Sequence, residues 1–295
     1  MEKERAVLEY AFWKLNEIEN AISESSSRSD VYGLLRQMGL GDFGELMISL
    51  PNRRLPKLSA ILPRMASDEI QQNWTGSSGM TLLGQSLDFV RSAAYNYSKI
   101  TGKGLEGASI LDFGCGYGRL ARLMYYFTEE ENYWGVDPWD RSIQICNDDG
   151  LNKNFHVSDY LPEELPLGDK KFDFIFAFSV FTHLSRRATI TCLNTISKYI
   201  KDDGVMLITI RPIEYWNIDK HAIKANKVDS LKSIHAQDGF AFLPHNRDAV
   251  DGDITYGDTS MTLDWIAESF QDLKIVGIDR SLSDPFQIYV FLKKP

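Results

Sequence analysis

The stretch Ile110–Arg122, ILDFGCGYGRLAR, decides how the chain is read. An apolar run ends in Asp112, glycines follow at alternate positions (Gly114, Gly116, Gly118), and a helical pattern begins at once. Glycine loses more freedom on folding than any other residue, so such a run marks backbone that must turn sharply or be approached closely. In an open α/β sheet, ligands bind beyond the carboxyl ends of the strands. A helix starting near Tyr117 would aim its free N–H groups at that place. Three readings of the turn are a dinucleotide pyrophosphate, a nucleoside cofactor without phosphate, or a turn that binds nothing. The G-x-G-x-G pattern lacks the G-x-G-x-x-G spacing of the dinucleotide fingerprint. Asp112 would set negative charge beside a pyrophosphate, whereas it suits an ammonium group.

Outward from this stretch the chain alternates. Strands are expected at ASILDF, NYWGVD, NFHVSD, FDFIFAFSV and GVMLITI, with helices over 119–126, 141–147 and 186–200 between them. FDFIFAFSV has the unbroken apolar character of a strand covered on both faces. This order predicts a parallel, doubly wound α/β sheet. The end differs: MTLDWIAESF reads as a helix, and LKIVGIDRS with FQIYVFLKK as two strands of an antiparallel hairpin at a sheet edge. Before the sheet, Leu83, Leu87, Val90, Ala94 and Tyr97 form one face of a helix over 80–100. Residues 1–78 read as a helical N-terminal extension, punctuated by Pro51, Pro56 and Pro63. Its first helix, over 3–22, carries the stripe Leu8, Ala11, Leu15, Ile18 and Ile22. That stripe either lies on the main domain or forms a homodimer seam. The segment from about 211 to 260 has little periodicity, and a stretch of that size suggests a lid or binding segment.

Composition narrows the function classes. The 295 residues, 43% hydrophobic, suit a domain of 79–295 with a smaller appendage. The net charge of −9 disfavours nucleic acid as a partner. The first residues lack the basic and apolar regions of a signal peptide, and no apolar run is long enough for a membrane span. Cys115, Cys146 and Cys192 are too few and too scattered for a disulfide framework or a zinc site, and such usage fits a reducing cytoplasm. No H-E-x-x-H or comparable ligand spacing occurs, so no metal is expected.

Two more carboxylates end strands. Asp137, in YWGVDPWD, stands where an acid accepts hydrogen bonds from ribose hydroxyls, or else caps the next helix. Asp159, in FHVSDYL, is placed to receive an adenine amino group with Tyr160 or Leu161 flanking the ring, or else is a turn residue.

With these in place, the chain resembles the class I S-adenosylmethionine-dependent methyltransferases. The likeness covers about residues 80–295 and rests on ILDFGCGYGRL, YWGVDPWD, FHVSDYLPEELPL, FDFIFAFSVFTHLS and IKDDGVMLITIRP in that order. KDDGVML departs from it, since relatives usually show proline-glycine before the fifth strand. The resemblance implies a seven-stranded, Rossmann-like sheet with an antiparallel last strand, and S-adenosyl-L-methionine as cofactor. It implies that Asp112 and the Gly114–Gly118 turn hold the methionine part, Asp137 the ribose and Asp159 the adenine. Phe178 and Ser179 would border the sulfonium. EIQQNWTGSSG, SVFTHLS and DPFQIYVFLKKP are similar to bacterial methyltransferases associated with polysaccharide or glycan assembly. By that analogy Trp74 and its neighbours fold over the cofactor, or else form a loop with a buried Trp anchor.

An alcohol nucleophile benefits from a general base, and His183 in VFTHLS follows the fourth strand on the ligand side. Equally it is a wall of the pocket or a purely structural histidine. Arg211, His245 and Tyr256 are substrate-side candidates, with Arg211 suited to a carboxylate or phosphate. The function expected is O-methylation of a sugar or glycan hydroxyl. Methylation of another small molecule at oxygen, nitrogen or carbon is the alternative, and a non-catalytic module that keeps the fold to bind a partner is a third.

Overall fold

The computed structural model describes residues 7–295. Five short helices come first: α1 (Phe12–Ala21), α2 (Arg28–Leu35), α3 (Leu40–Ser49), α4 (Pro56–Ile61) and α5 (Asp68–Thr75). The first begins later than its periodicity suggests, and residues 3–6 of the expected helix lie outside the described residues. Ser27 starts α2 with a reciprocal capping box to Asp30, and Pro56 starts α4 where its missing N–H costs nothing.

The stripe on α1 faces inward. Ala11, Leu15, Ile18 and Ile22 are buried in one apolar core with Tyr32 and Phe43 and with the sheet residues Ile110, Phe174, Phe176 and Tyr289. Those four residues are taken up by the chain's own core, so that stripe is not a homodimer seam. Leu8, the fifth member, is exposed.

The long helix α6 (Gly79–Thr101) follows and lies over the sheet, with Phe89 edge-on to Phe176 and Tyr289, and Tyr97 edge-on to Phe174. Then come β1 (Ile110–Phe113), α7 (Arg119–Met124), β2 (Tyr133–Asp137), α8 (Asp140–Asp148), β3 (Phe155–Val157), β4 (Phe172–Ala177), α9 (Arg186–Ser197) and β5 (Ile200–Ile210). β5 starts four residues before the expected Gly204 and takes Ile200 from the expected end of α9.

The segment after β5 is ordered. It holds a 3₁₀ turn (Ile213–Asn217), α10 (Lys220–Lys224), α11 (Val228–Asp238), β6 (Phe240–Pro244) and β7 (Gly257–Met261). β6 and β7 form a separate antiparallel pair, and Trp216, Leu231, Ala241 and Leu243 give the segment a small core of its own. The chain ends with α12 (Leu263–Ser269), β8 (Lys274–Arg280) and β9 (Ile288–Lys293).

The main sheet has seven strands in the order β3-β2-β1-β4-β5-β9-β8. The first five are parallel, and β9 runs antiparallel between β5 and β8. β8 and β9 do form a hairpin at the sheet edge, with β8 outermost. The strand order reverses direction between β1 and β4, which places a crevice at their carboxyl ends. Among the described residues no helix is long and apolar enough to cross a membrane.

Candidate active site

The carboxyl ends of β1, β2 and β4 open into one cavity of about 670 Å³. Its strand-end wall begins at Asp112, the third residue of β1, which is only 2% exposed. Oδ2 of Asp112 accepts a hydrogen bond from the Tyr133 hydroxyl at 2.8 Å, and Oδ1 has no hydrogen-bond partner among the described residues. Burial raises the Asp112 carboxyl to about 7, against the pull of the Tyr133 hydrogen bond.

The three glycines of the turn all have positive φ: 78° at Gly114, 53° at Gly116 and 72° at Gly118. That conformation is the first reason for glycine here. Their surroundings then separate them. Gly114 and Gly116 line the cavity. Gly118 does not; it caps α7, and a β-carbon there would stand 2.3 Å from Leu151 Cδ1. Gly118 is thus required by packing against Leu151, which the sequence reading did not anticipate. Arg122, fully buried, fastens the turn from beneath: Nη1 donates to the Tyr117 and Gly118 carbonyls, both at 2.8 Å, and Nε to the Arg64 carbonyl at 2.9 Å.

Asp137 lines the cavity at the end of β2. Its Oδ2 accepts the Gly116 N–H and its Oδ1 the Trp139 N–H, each at 2.9 Å. It therefore braces the glycine turn and the chain just before α8, but does not cap that helix, whose N-cap is Trp139. Burial raises its carboxyl, opposed by those hydrogen bonds. Asp159 and Tyr160, both exposed, lie on the same cavity past β3. Trp74, in the last turn of α5, stacks on Trp139 with ring centroids 4.5 Å apart and donates from Nε1 to Ser142 Oγ at 3.2 Å. Phe178 and Ser179 line the cavity after β4. Ser179 is held at φ 60°, a strained conformation for a residue other than glycine, and its N–H donates to Thr209 Oγ1 at 2.7 Å.

Arg119, at the start of α7, is a cavity residue that sequence reasoning missed. Its guanidinium stands 5.2 Å from the Phe178 ring centroid and has no hydrogen bond or ion pair among the described residues. Burial lowers its pKa, and Asp112 and Asp284 act against that from a distance. Its position directly after Gly118 was the available signal.

The opposite wall belongs to the 211–260 segment. β7 is tied to the chain after β4: the Gly257 N–H donates to the His183 carbonyl at 2.8 Å and the Thr259 N–H to the Thr182 carbonyl at 2.9 Å. Asp258, which sequence reasoning did not single out, is the hub. Its Oδ1 accepts from Arg211 Nη1 at 2.7 Å and from the Tyr215 hydroxyl at 3.1 Å, and its Oδ2 pairs with His245 Nε2 at 2.6 Å. Although burial opposes it, the His245 and Arg211 contacts hold the Asp258 carboxyl below its usual range.

His183 lines the cavity with its ring flat against Tyr256, centroids 5.1 Å apart and planes 7° from parallel. Nδ1 meets the Gly257 carbonyl at 2.8 Å, so it carries the proton; Nε2, 3.2 Å from Arg211 Nη2, is then the acceptor. Burial, and next the Arg211 charge, push the His183 pKa down to about 4. The imidazole is neutral near pH 7, but its one lone pair is already engaged. Arg211 and Tyr256 also line the cavity, while His245 stands behind Tyr256 and does not. The expectation of no metal rested on sequence spacing, yet the fold brings His221, His245 and Asp258 together, with their ligand atoms within 4.8 Å of one another.

Comparison with known proteins gives the family of the chain. Residues 88–241 match a family model described as a methyltransferase domain, 154 of the 295 residues. An uncharacterized protein of Rickettsia prowazekii (strain Madrid E) is 25% identical over 137 residues, 45% of this chain and 52% of that protein. The chain thus spans about half the length of this curated relative. Among solved structures, the plantazolicin methyltransferase BpumL in complex with SAH is 14% identical, with a TM-score of 0.49 over 97% of this chain and 99% of that one. The CcbJ methyltransferase from Streptomyces caelestis is 13% identical, with a TM-score of 0.48 over 77% and 95% of the two chains. The PH0226 protein from Pyrococcus horikoshii OT3 is 11% identical, with a TM-score of 0.49 over 78% and 100%. At such identities and TM-scores these structures lend no residue a role. By the extent of the family match, the chain belongs to the methyltransferase-domain family.

Proposed function

We propose that the chain transfers a methyl group from S-adenosylmethionine to a hydroxyl of a sugar or glycan. Residues 79–295 form the transferase unit in this reading, 1–78 its helical extension, and 211–260 the acceptor-binding segment. One observation carries the cofactor assignment. A buried carboxylate with an open oxygen, Asp112, and an unpaired guanidinium, Arg119, share one cavity at the glycine turn. A lone buried charge is costly, and an acid beside a free cation suits the ammonium and carboxylate of an α-amino acid. In this reading Asp112 takes the ammonium and Arg119 the carboxylate. Gly114 and Gly116 admit the amino-acid tail, and Asp137 offers its remaining lone pairs to the ribose. Asp159 and Tyr160 stand at the adenine, with the Trp74–Trp139 pair over the mouth, and Phe178 and Ser179 border the sulfonium.

When bound, the cofactor supplies an electrophilic methyl group; the chain's part is to align the acceptor and exclude water. Tyr215, Tyr256 and Phe286, with Arg211 and Arg247, give the acceptor side both ring faces and hydrogen-bond donors, a mixture suited to a sugar. His245 would act through Tyr256 and Asp258. His183 receives the acceptor's proton at Nε2 once the acceptor has drawn Arg211 away from it. Calorimetric titration with S-adenosylhomocysteine tests the cofactor site, with one equivalent bound as the expected result. Absence of binding would leave the chain a non-catalytic module. Transfer of labelled methyl to sugars, with amines and phenols in parallel, tests the acceptor; labelling only of the latter would replace the sugar and keep the site.

A further inference from the structure

We propose that His221, His245 and Asp258 form a binding site for a divalent transition ion of the zinc class. The three come from separate elements: His221 from α10, His245 from the residue after β6, and Asp258 from β7. They are 24 and 13 positions apart in the chain, so no spacing motif announces them. The fold nonetheless sets one ligand atom of each within 4.8 Å of the others.

Two imidazoles and one carboxylate are the donor set that zinc and its neighbours prefer over magnesium or calcium, which select oxygen. Tetrahedral donors at about 2.1 Å from one centre stand roughly 3.4 Å apart. His245 Nε2 and Asp258 Oδ2, now 2.6 Å apart, must separate by less than an ångström to admit the ion. The His221 ring, exposed and 4.4 Å from the His245 ring, must close by a side-chain rotation. The Asp258 carboxylate is already oriented for ligation, because Arg211 and the Tyr215 hydroxyl both bond its other oxygen and leave Oδ2 aimed at His245. Tyr215 also bonds Asp219, whose side chain caps α10, the helix that carries His221. The ion would replace the proton shared by His245 and Asp258, and would join α10, β6 and β7 at one point. The competing account is a His245–Asp258 hydrogen bond with His221 merely near it.

The test uses the full chain stripped with a chelator and titrated with zinc chloride by calorimetry and thermal melting, with magnesium chloride in parallel. One equivalent of zinc with a raised melting temperature, and no comparable response to magnesium, is expected. His221→Ala is the decisive variant, because His221 is exposed and its removal should leave the metal-free melting temperature unchanged. Its zinc affinity should fall at least tenfold, and Asp258→Asn should lose the site. Cobalt should give visible d–d bands in the wild type that His221→Ala lacks. Absence of saturable zinc binding overturns the proposal, as does wild-type affinity in His221→Ala, which would place the ion elsewhere.

Discussion

The two walls of the cavity are built on opposite principles. The strand-end wall, from Asp112 through Arg119, holds charges without partners: an open carboxylate oxygen and a free guanidinium. The wall from 211 to 260 holds charges that are already satisfied, with Arg211, Tyr215 and His245 all on Asp258, and Arg211 also on His183. Buried charge is tolerated when paired and costly when not. In the proposed reading, the first wall is preorganised for a zwitterion and gains on binding it. The second must exchange partners before an acceptor can use its groups.

The largest expected effect separates scaffold from ligand within the first wall. Gly118→Ala places a β-carbon on Leu151 at a left-handed position, so we expect destabilisation of about 3 kcal/mol by chemical denaturation. Gly116→Ala meets Trp74 at an ordinary 3.6 Å, so only the left-handed conformation, about 1 kcal/mol, should be lost in stability. Its methyl enters the cavity, so the cost should appear instead in binding of S-adenosylhomocysteine. Equal stability losses would break the distinction between the two glycines.

Asp112→Asn comes next. The amide retains an oxygen for the Tyr133 hydroxyl but has no charge for an ammonium group. Loss of a buried charge pair is worth about 2–3 kcal/mol, so S-adenosylhomocysteine should bind about 30- to 150-fold more weakly by calorimetry. Arg119→Met should cost less, about tenfold, because this cation stands nearer the open cavity. An Arg119 variant that binds as the wild type would remove the carboxylate assignment and leave that of Asp112 standing.

The same contrast explains what the sequence revealed. The strand-end wall was legible because its signals are local: an acid at a strand end, glycines where φ turns positive, a second acid at the next strand end. Seven strands with a reversed edge followed from the alternation of apolar runs and the final hairpin. Apart from Arg119, whose signal was its place directly after Gly118, what escaped was set by distant partners. Gly118 looked like Gly116 until Leu151, 33 residues on, filled the space beside it. The α1 stripe was visible, but not which of its two readings, the main domain or a second copy, would hold; the chain's own core takes up four of its five residues. In the 211–260 segment, order comes from β6 pairing with β7 and from β7 docking beside Thr182 and His183, contacts with no short-range pattern. Asp258 sits in GDTSM as one polar residue among several, and only the fold makes it a hub.

Dependence on pH separates the walls as well, and here the two should differ in sign. Asp112 has its folded pKa raised to about 7, far above the ordinary value of about 3.9, so the folded chain binds the extra proton between those limits. Its contribution to stability is greatest below about pH 4 and falls as pH rises toward 7. Binding of an ammonium group needs the ionised form, so affinity for S-adenosylhomocysteine should rise with pH up to about 7 and then level. His183 moves the other way: held down to about 4, it is neutral across the physiological range. Turnover at saturating cofactor should then show no histidine-dependent fall between about pH 5.5 and about pH 8, a range that starts roughly one and a half units above that pKa. A fall centred near about 6.5, abolished in His183→Gln, would mean that the bound acceptor offsets both the burial and the Arg211 charge that hold the free imidazole down. It would make the second wall, like the first, a site whose charges are set by what is bound.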